Sequence, residues 1–185
     1  MNAICPPSVD YLTGEIEADD LITKVSTLGS LKNVFADQVA QATMPQETLV
    51  YHVAMLPAET DKGELNFGVT HIEPGRVGEE FYMTRGHLHE HAEQAEYYFG
   101  VAGKGLLLMQ SLDGRVELGH VFAGSVHHIR GYVAHRLINI GDERLSALAV
   151  WPAIAGHDYQ FIDKIGFKIR VVWRDGEIKV VEGGH

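Results

Sequence analysis

Residues 78–105 read GEEFYMTRGHLHEHAEQAEYYFGVAGKG and contain a His-x-His pair, His87 and His89, followed by Glu96. If residues 81–89 form a strand, side-chain alternation places both histidines on one face, with Cα atoms roughly 6–7 Å apart. Two imidazoles at that spacing can bind one ion through bonds of about 2 Å. Glu96 has the wrong parity for that strand, so we expect the polar residues 90–94 to turn the chain and bring Glu96 back on the next strand.

Imidazole and carboxylate donors on adjacent strands suit a divalent transition metal. A later histidine, His135, begins another predicted strand and strengthens this interpretation. Other polar residues are expected to be solvated or paired within the fold. They are His91 and Glu93 in the polar turn, and the adjacent His127 and His128, whose side chains point to opposite faces of an extended chain. His52 lies on an apolar strand, and its position leaves open whether it faces a cavity or the core.

Composition limits the classes of protein to consider. The chain has 185 residues, 45% of them hydrophobic, which suits a single globular domain. A formal charge of −10 argues against a nucleic-acid or anionic-membrane partner, and no apolar run approaches the ~20 residues that span a bilayer. Cys5 is the only cysteine, so an internal disulfide is excluded. The acidic first thirty residues do not resemble a secretory signal, and we expect a cytoplasmic protein.

Hydrophobic periodicity predicts an all-β fold after a short lead-in. From Ala18 to about Ala42 apolar residues recur at three- and four-residue steps, which predicts two short helices packed outside the sheets. Beyond Pro45 the period drops to two, and turn signals recur every eight to twelve residues, as in a sandwich or barrel. The predicted division is a lead-in over 1–45 and a β-barrel over 46–185. Candidate strands are 47–56, 65–72, 79–88, 96–102, 105–111, 115–121, 126–130, 135–140, 145–151 and 167–173.

The motifs resemble those of a known family. His-x-His, a spaced Glu96, and a second motif running from Gly124 to His135 and Asn139 resemble the two-motif signature of the cupins. Four stretches are similar in particular to the cupin-type phosphoglucose isomerases best known from archaea, from about Thr13 to Val181. They are GELNFGVTHIEPGRVGEEFYMTRGHLH, AEYYFGVAGKGLLLMQ, AHRLINIGDERL and WPAIAGHDY. Two departures are Trp151, where the family usually has Tyr, and residues 130–131, where it has Pro-Pro.

The resemblance implies a jelly-roll barrel, a homodimer and the interconversion of glucose 6-phosphate and fructose 6-phosphate, a step of glycolysis and gluconeogenesis. It also implies one divalent metal per subunit, Fe²⁺ being the expected ion and Mn²⁺, Zn²⁺ or Ni²⁺ the alternatives. Metal ligation is carried over onto His87, His89, Glu96 and His135. Sugar-phosphate contacts are carried over onto Tyr51, Thr70, Thr84, Gly86, Tyr98, His157 and Tyr159.

The chemistry leaves alternatives open at this stage. Glu96 is the natural base for an enediol route, yet it is also a metal ligand, and a hydride shift between C1 and C2 needs no base. Three histidines and one glutamate also form the site of a cupin dioxygenase. A cupin that binds a sugar phosphate without converting it is the third hypothesis, and it differs from the first by the lack of turnover.

Overall fold

A computed structural model describes residues 4–57 and 60–183, and in these residues strands dominate. Two short helices are α1 (Gln38–Thr43) and α2 (Tyr159–Ile165), and a 3₁₀ turn covers Leu28–Ser30. The strands in chain order are β1 Ser8–Val9, β2 Ile16–Glu17, β3 Ile22–Thr27, β4 Leu49–Met55, β5 Leu65–Ile72, β6 Arg76–Val77, β7 Glu80–Phe81, β8 Glu96–Ala102, β9 Lys104–Ser111, β10 Val116–Phe122, β11 Val126–Ile129, β12 Val133–Asn139, β13 Leu145–Pro152, β14 Ile169–Arg174 and β15 Glu177–Glu182.

The strands form antiparallel sheets whose order is not the chain order. The largest runs β11-β8-β13-β5-β4-β3, a second runs β10-β9-β12, a third runs β15-β14-β7-β6, and β1 pairs with β2. Neighbours such as β8 and β13 are distant in sequence, as in a jelly roll. The apolar core is shared between the sheets and includes fully buried Val50, Ile72, Leu107 and Leu137. The predicted all-β jelly-roll fold is confirmed.

Side-chain alternation on β8 decides which residues reach the interior. Glu96 and Tyr98 are buried, whereas Tyr97 and Phe99 are 54% and 39% exposed. Because successive side chains of a strand point to opposite faces, the inward register of Glu96 fixes that of Tyr98 as well. The strand therefore carries a carboxylate and a phenol to the inner face of the six-stranded sheet.

The predicted helical lead-in is partly wrong. Residues 22–27 form β3, which pairs with β4 at the edge of the six-stranded sheet, and helical structure is confined to the turn at Leu28–Ser30 and to α1. Val25, which belongs to the predicted helical pattern, is 59% exposed, so that spacing reflects no buried helix face. The physical reason is the unpaired edge of β4, which offers backbone hydrogen bonds that a short isolated helix cannot match.

The predicted strand over 79–88 is also only partly correct. Regular pairing covers β7, and beyond it the chain makes isolated bridges, Met83 with Ile138 and His87 with His135. Gly86 has φ +78°, a left-handed conformation that interrupts an extended strand. An added Cβ at Gly86 would lie 2.8 Å from the Phe167 ring, so the backbone approaches its neighbours more closely than a side chain allows.

Several elements escaped prediction. The hairpin of β1 and β2, the strand β15 and the helix α2 carry no strong periodicity, being two to seven residues long. Among the described residues no helix is long and apolar enough to cross a membrane.

Candidate metal centre

Backbone pairing brings the two histidine motifs together. The N–H of His87 donates to the carbonyl of His135 at 3.1 Å, and the N–H of His135 donates to the carbonyl of His87 at 2.9 Å. Residues 90–95 turn the chain, as predicted, and Glu96 begins β8 on the inner face. The four predicted ligands thus come from one irregular segment, β8 and β12, although 46 or more positions separate His135 from the His-x-His pair.

Donor atoms of these four side chains converge. One nitrogen or carboxylate oxygen from each of His87, His89, Glu96 and His135 lies within 4.8 Å of the others. Glu96 Oε1 lies 2.5 Å from His135 Nε2 and 3.3 Å from His89 Nε2. The His87 and His135 rings meet edge to face, with centroids 4.4 Å apart. Three of the four residues are buried and His87 is half-buried at the cavity floor.

Backbone carbonyls fix how two of the rings present their nitrogens. His89 Nδ1 lies 2.9 Å from the Gln94 carbonyl oxygen, and His135 Nδ1 lies 3.2 Å from the Val133 carbonyl oxygen. A carbonyl oxygen can only accept, so each Nδ1 carries the proton and donates it. In the neutral tautomer each Nε2 is then a bare lone pair, the arrangement by which outer hydrogen bonds orient metal-binding histidines.

The donor set fits a cation. His87 Nε2, His135 Nε2 and Glu96 Oε1 are buried without a hydrogen-bond partner among the described residues. Lone pairs on Nε2 and a carboxylate oxygen 2.5 Å apart repel each other unless a proton or a metal ion lies between them. A transition-metal ion would satisfy all three atoms at once.

Electrostatics favour the ligating forms of Glu96 and His87. Burial opposes ionisation of Glu96, but the adjacent His135 and His89 side chains outweigh it and hold the pKa of Glu96 well below its usual range. Burial, followed by the neighbouring His135 and His157, lowers the pKa of His87 well below its ordinary value. At neutral pH the centre therefore holds an ionised carboxylate beside a neutral imidazole.

A cavity of about 750 Å³, mouth included, opens over the cluster. All seven residues predicted to contact substrate line it, as do His87, Glu96 and His135, whereas His89 lies behind them. The seven are Tyr51, Thr70, Thr84, Gly86, Tyr98, His157 and Tyr159.

Individual side chains of the cavity wall are held in orientations that leave donors available. The Thr84 hydroxyl oxygen accepts the Leu137 N–H at 3.1 Å, so its own proton can be donated into the cavity. Burial, and then the nearby Glu96 charge, raises the pKa of Tyr98 well above its usual value, which keeps the phenol protonated. Tyr159 opens α2 and stacks on His157 at 5.8 Å.

Two cationic residues that line the cavity were not predicted from the sequence. Lys24 reaches the cavity from β3, the segment wrongly predicted to be helical, and Arg85 reaches it from the irregular segment. Arg85 lies 4.9 Å from the Tyr159 ring and pairs with Asp163 of α2 at 2.8 Å. The segment around Lys24, Ile22-Thr23-Lys24-Val25-Ser26-Thr27, is rich in β-branched residues, and that composition favours a strand.

The other polar residues considered from the sequence lie outside the four-ligand cluster. His91, Glu93 and His128 are exposed, as expected of solvated side chains, and His127 is half-buried. Asn139 is buried and ties β12 to its surroundings, donating to the carbonyls of Ile72 and Glu143 at 2.9 Å each. Its role is therefore structural. His52, left open by the sequence, packs on the other face of the six-stranded sheet against His71.

Comparisons with known proteins point to one enzyme family. The family model described as glucose-6-phosphate isomerase matches residues 25–183. A glucose-6-phosphate isomerase of Thermococcus kodakarensis is 39% identical over 175 residues, covering 94% of this chain and 92% of the relative. One from Pyrococcus furiosus is 39% identical over 176 residues with the same coverage. A third, from Sinorhizobium medicae, is 38% identical over 151 residues, covering 80% of this chain and 70% of the relative.

Solved structures with partial likeness include two oxalate enzymes. An oxalate oxidase in complex with glycolate aligns with a TM-score of 0.45 and 17% identity, over 53% of this chain and 47% of that chain. An oxalate decarboxylase of Bacillus subtilis aligns with a TM-score of 0.46 and 23% identity, over 60% and 28%.

Proposed function

Because this chain belongs to the glucose-6-phosphate isomerase family, we propose that it interconverts glucose 6-phosphate and fructose 6-phosphate at the His–Glu cluster. The family and the near-complete coverage of the relatives support the reaction and the resemblance to the cupin-type branch. The main support for this site is that four donor atoms lie within 4.8 Å of one another beneath a cavity lined by hydroxyl groups. We also propose that residues 1–185 form one domain, with β3 part of the barrel.

His87, His89, Glu96 and His135 are the proposed metal ligands. A divalent ion bound there would supply Lewis-acid polarisation of the substrate oxygens on C1 and C2. The protein residues hold the sugar in place, since Thr70, Thr84 and Tyr98 can donate hydrogen bonds from three different strands or segments. Trp151, which is 8% exposed, supplies an apolar wall that excludes water from the reacting carbons.

Glu96 is the proposed base of an enediol route, in which it takes a proton from one carbon and returns it to the other. Its contacts with His135 and His89 must loosen first, because they depress its basicity. Isomerisation in D₂O tests this role. Deuterium in recovered fructose 6-phosphate supports transfer through a base whose proton exchanges with solvent, the role proposed for Glu96, whereas complete retention of the substrate hydrogen favours a hydride shift and contradicts an exchanging base.

The phosphate group is proposed to lie at the mouth, beside Lys24 and Arg85. The substrate is a dianion and the protein has a net charge of −10, so local cations are needed to attract it. The Gly86 backbone and the Thr84 hydroxyl lie next to Arg85 in the chain and can donate directly to phosphate oxygens. Asp163 neutralises part of the Arg85 charge and holds its guanidinium over the Tyr159 ring.

Coupled turnover of fructose 6-phosphate tests the metal requirement. We expect activity to disappear after dialysis against a chelator and to return with Fe²⁺, and in part with Mn²⁺, Zn²⁺ or Ni²⁺. Turnover that persists at the same rate in chelator-treated protein of verified zero metal content would remove the ion from the mechanism.

We also propose a homodimer that acts in the cytoplasm, with Fe²⁺ as the physiological ion. The edge strand β3, whose Ile22 and Val25 are exposed, supports association because unpaired strand edges promote pairing with other chains. Light scattering after gel filtration should give twice the chain mass of 20.4 kDa. A mass equal to one chain at micromolar concentration would exclude the dimer.

A further inference from the structure

A second cluster of metal-binding side chains lies on the outer face of the six-stranded sheet. His52 of β4 and His71 of β5 are direct cross-strand partners, and their rings stack with centroids 4.7 Å apart. Donor atoms of both lie within 4.8 Å of a carboxylate oxygen of Glu15. Their sequence neighbours Tyr51 and Thr70 line the sugar cavity, so alternation puts this cluster on the opposite face from the cavity.

His71 is the most firmly held residue of this cluster. It is fully buried, and its Nδ1 lies 2.9 Å from the Ser146 hydroxyl oxygen on the adjacent strand β13. Its Nε2 is buried and has no hydrogen-bond partner among the described residues. When Nδ1–H donates to Ser146, Nε2 becomes an unshared lone pair in a buried site, where leaving it unsatisfied is unfavourable. Metal-binding histidines are oriented by just such a bond on the other ring nitrogen.

The N-terminal hairpin covers this ring. Gly14 packs so closely that an added Cβ would lie 3.4 Å from His71 Cε1 and 3.1 Å from the Ser146 Cβ. The next residue, Glu15, extends over the cluster and begins the approach to β2. A ligand shared by Glu15 and the two histidines would therefore connect the hairpin of β1 and β2 to the barrel.

The local charges favour a cation. Arg144 pairs through Nη1 with Glu15 Oε1 at 3.0 Å and through Nε with Glu73 Oε1 at 2.9 Å. Two carboxylates thus face one guanidinium, leaving a net negative charge beside the imidazoles. Arg144 contacts a single oxygen of Glu15, and a carboxylate can bind a metal and an arginine together.

We propose that Glu15, His52 and His71 bind a divalent transition-metal ion such as Zn²⁺, which holds the N-terminal hairpin against the barrel. Two imidazoles and one carboxylate suit Zn²⁺, Co²⁺ or Ni²⁺ rather than Ca²⁺ or Mg²⁺, which prefer oxygen ligands. The role is structural, and it does not depend on the isomerase site.

The test measures Zn²⁺ binding by calorimetry in a variant that lacks the cavity cluster. In the background His87→Ala/His135→Ala we expect about one Zn²⁺ per chain. Adding Glu15→Gln or His52→Ala should weaken that binding at least tenfold, the order of loss produced by disturbing a metal site. The matched control is His120→Ala, an exposed strand histidine outside both clusters, which should leave the affinity unchanged.

The outcomes separate this site from the proposed isomerase site. A background variant that binds no Zn²⁺, or whose binding is indifferent to both Glu15→Gln and His52→Ala, overturns the proposal. If the His87→Ala/His135→Ala background does not fold, Glu15→Gln or His52→Ala is introduced into the unaltered chain instead. Bound Zn²⁺ should then fall from two ions per chain to one. Isomerase turnover of Glu15→Gln should equal that of the unaltered chain, because Glu15 lies on the other face of the sheet.

Discussion

Among single residues, the proposed ligands and the residues that line the cavity differ in how they are held. His89 and His135 are fixed by backbone carbonyls on Nδ1, so their Nε2 atoms are presented before any ion arrives. Residues at the cavity mouth, such as Lys24 and Tyr159, are exposed and adjustable. Substitutions in the first group should therefore change metal affinity, and those in the second should change substrate affinity.

Removal of one ligand tests the first group. We expect His135→Ala to lower metal affinity by at least about tenfold, the loss that outer hydrogen bonds alone can cause. His91→Ala changes an exposed histidine of the same region and should retain the bound metal. Elemental analysis of both variants after identical dialysis decides the matter, and equal metal loss in the two would contradict the assignment of His135.

Lys24 tests the electrostatic part of substrate binding. We expect Lys24→Gln to raise KM for fructose 6-phosphate about three- to fivefold with kcat nearly unchanged, since an exposed charge pair contributes roughly up to 1 kcal/mol. The effect should shrink at high salt because exposed charges are screened. Lys32→Gln, an exposed lysine outside the cavity lining, serves as the control. An unchanged KM at low salt would place the phosphate elsewhere.

Trp151 tests whether the cavity wall tolerates the residue usual in the family. Trp151 is buried and its ring lies next to Gly68, where an added Cβ would be 3.4 Å from the indole. We expect Trp151→Tyr to keep kcat/KM for fructose 6-phosphate within about tenfold, or ~1.4 kcal/mol of barrier. A larger loss, measured in the same coupled assay, would indicate that the indole is fitted to a different sugar.

At the scale of secondary-structure elements, the irregular segment between β7 and the polar turn is what builds the cavity wall. A regular strand would have continued the backbone hydrogen bonding of β7. Instead, the left-handed backbone conformation of Gly86 turns the chain so that Thr84 and His87 both reach the cavity. Arg136 of β12 supports this path from behind, donating to the Arg85 carbonyl at 2.6 Å while lying 4.2 Å from the Phe167 ring.

Gly86→Ala tests this support. A Cβ there would lie 2.8 Å from Phe167 and 3.0 Å from Arg136 Nε, so the variant combines left-handed strain with overpacking. Gly124→Ala is the matched control, because Gly124 has φ +90° but no heavy atom of the described residues lies within 4 Å of an added Cβ. We expect Gly86→Ala to lower the free energy of unfolding by about 1–3 kcal/mol more than Gly124→Ala. Equal losses of unfolding free energy in urea denaturation would show that the close packing around Gly86 does not determine the cost of the substitution.

In the whole molecule, folding assembles the centre from segments that are distant in sequence, so binding of the proposed ion would be coupled to stability. The unfolded chain separates His89 from His135 and binds an ion weakly, while the folded barrel brings the donors together. Any ligand that binds only the folded state stabilises it by mass action. Metal content should therefore be visible in thermal unfolding.

We expect Mn²⁺ at about 100 times its dissociation constant to stabilise chelator-treated protein by roughly 2.7 kcal/mol. For a chain of this length that corresponds to a rise in Tm of roughly 5–10 °C, measured by calorimetry. His135→Ala should lose most of the rise, whereas His91→Ala should keep it. A Tm that does not respond to the ion in the unaltered protein would contradict a preformed centre.

The local sequence determined the strands of the barrel, because alternation and turn residues are properties of short segments. It also determined the polar turn before Glu96, and the histidine spacing pointed to a metal before any tertiary information. Local periodicity could not identify β3, since three- and four-residue spacing also occurs on an exposed edge strand whose pairing with β4 is a long-range contact. For the same reason Lys24 was absent from the predicted site.

Which donors meet depends on long-range contacts. The sequence separates Glu15, His52 and His71 by tens of residues, and nothing in their local patterns relates them. Their proximity follows from antiparallel register, which sets His52 opposite His71 and His71 opposite Ser146. Register depends on the summed pairing of whole strands, so it is a property of the sheet and not of any one segment.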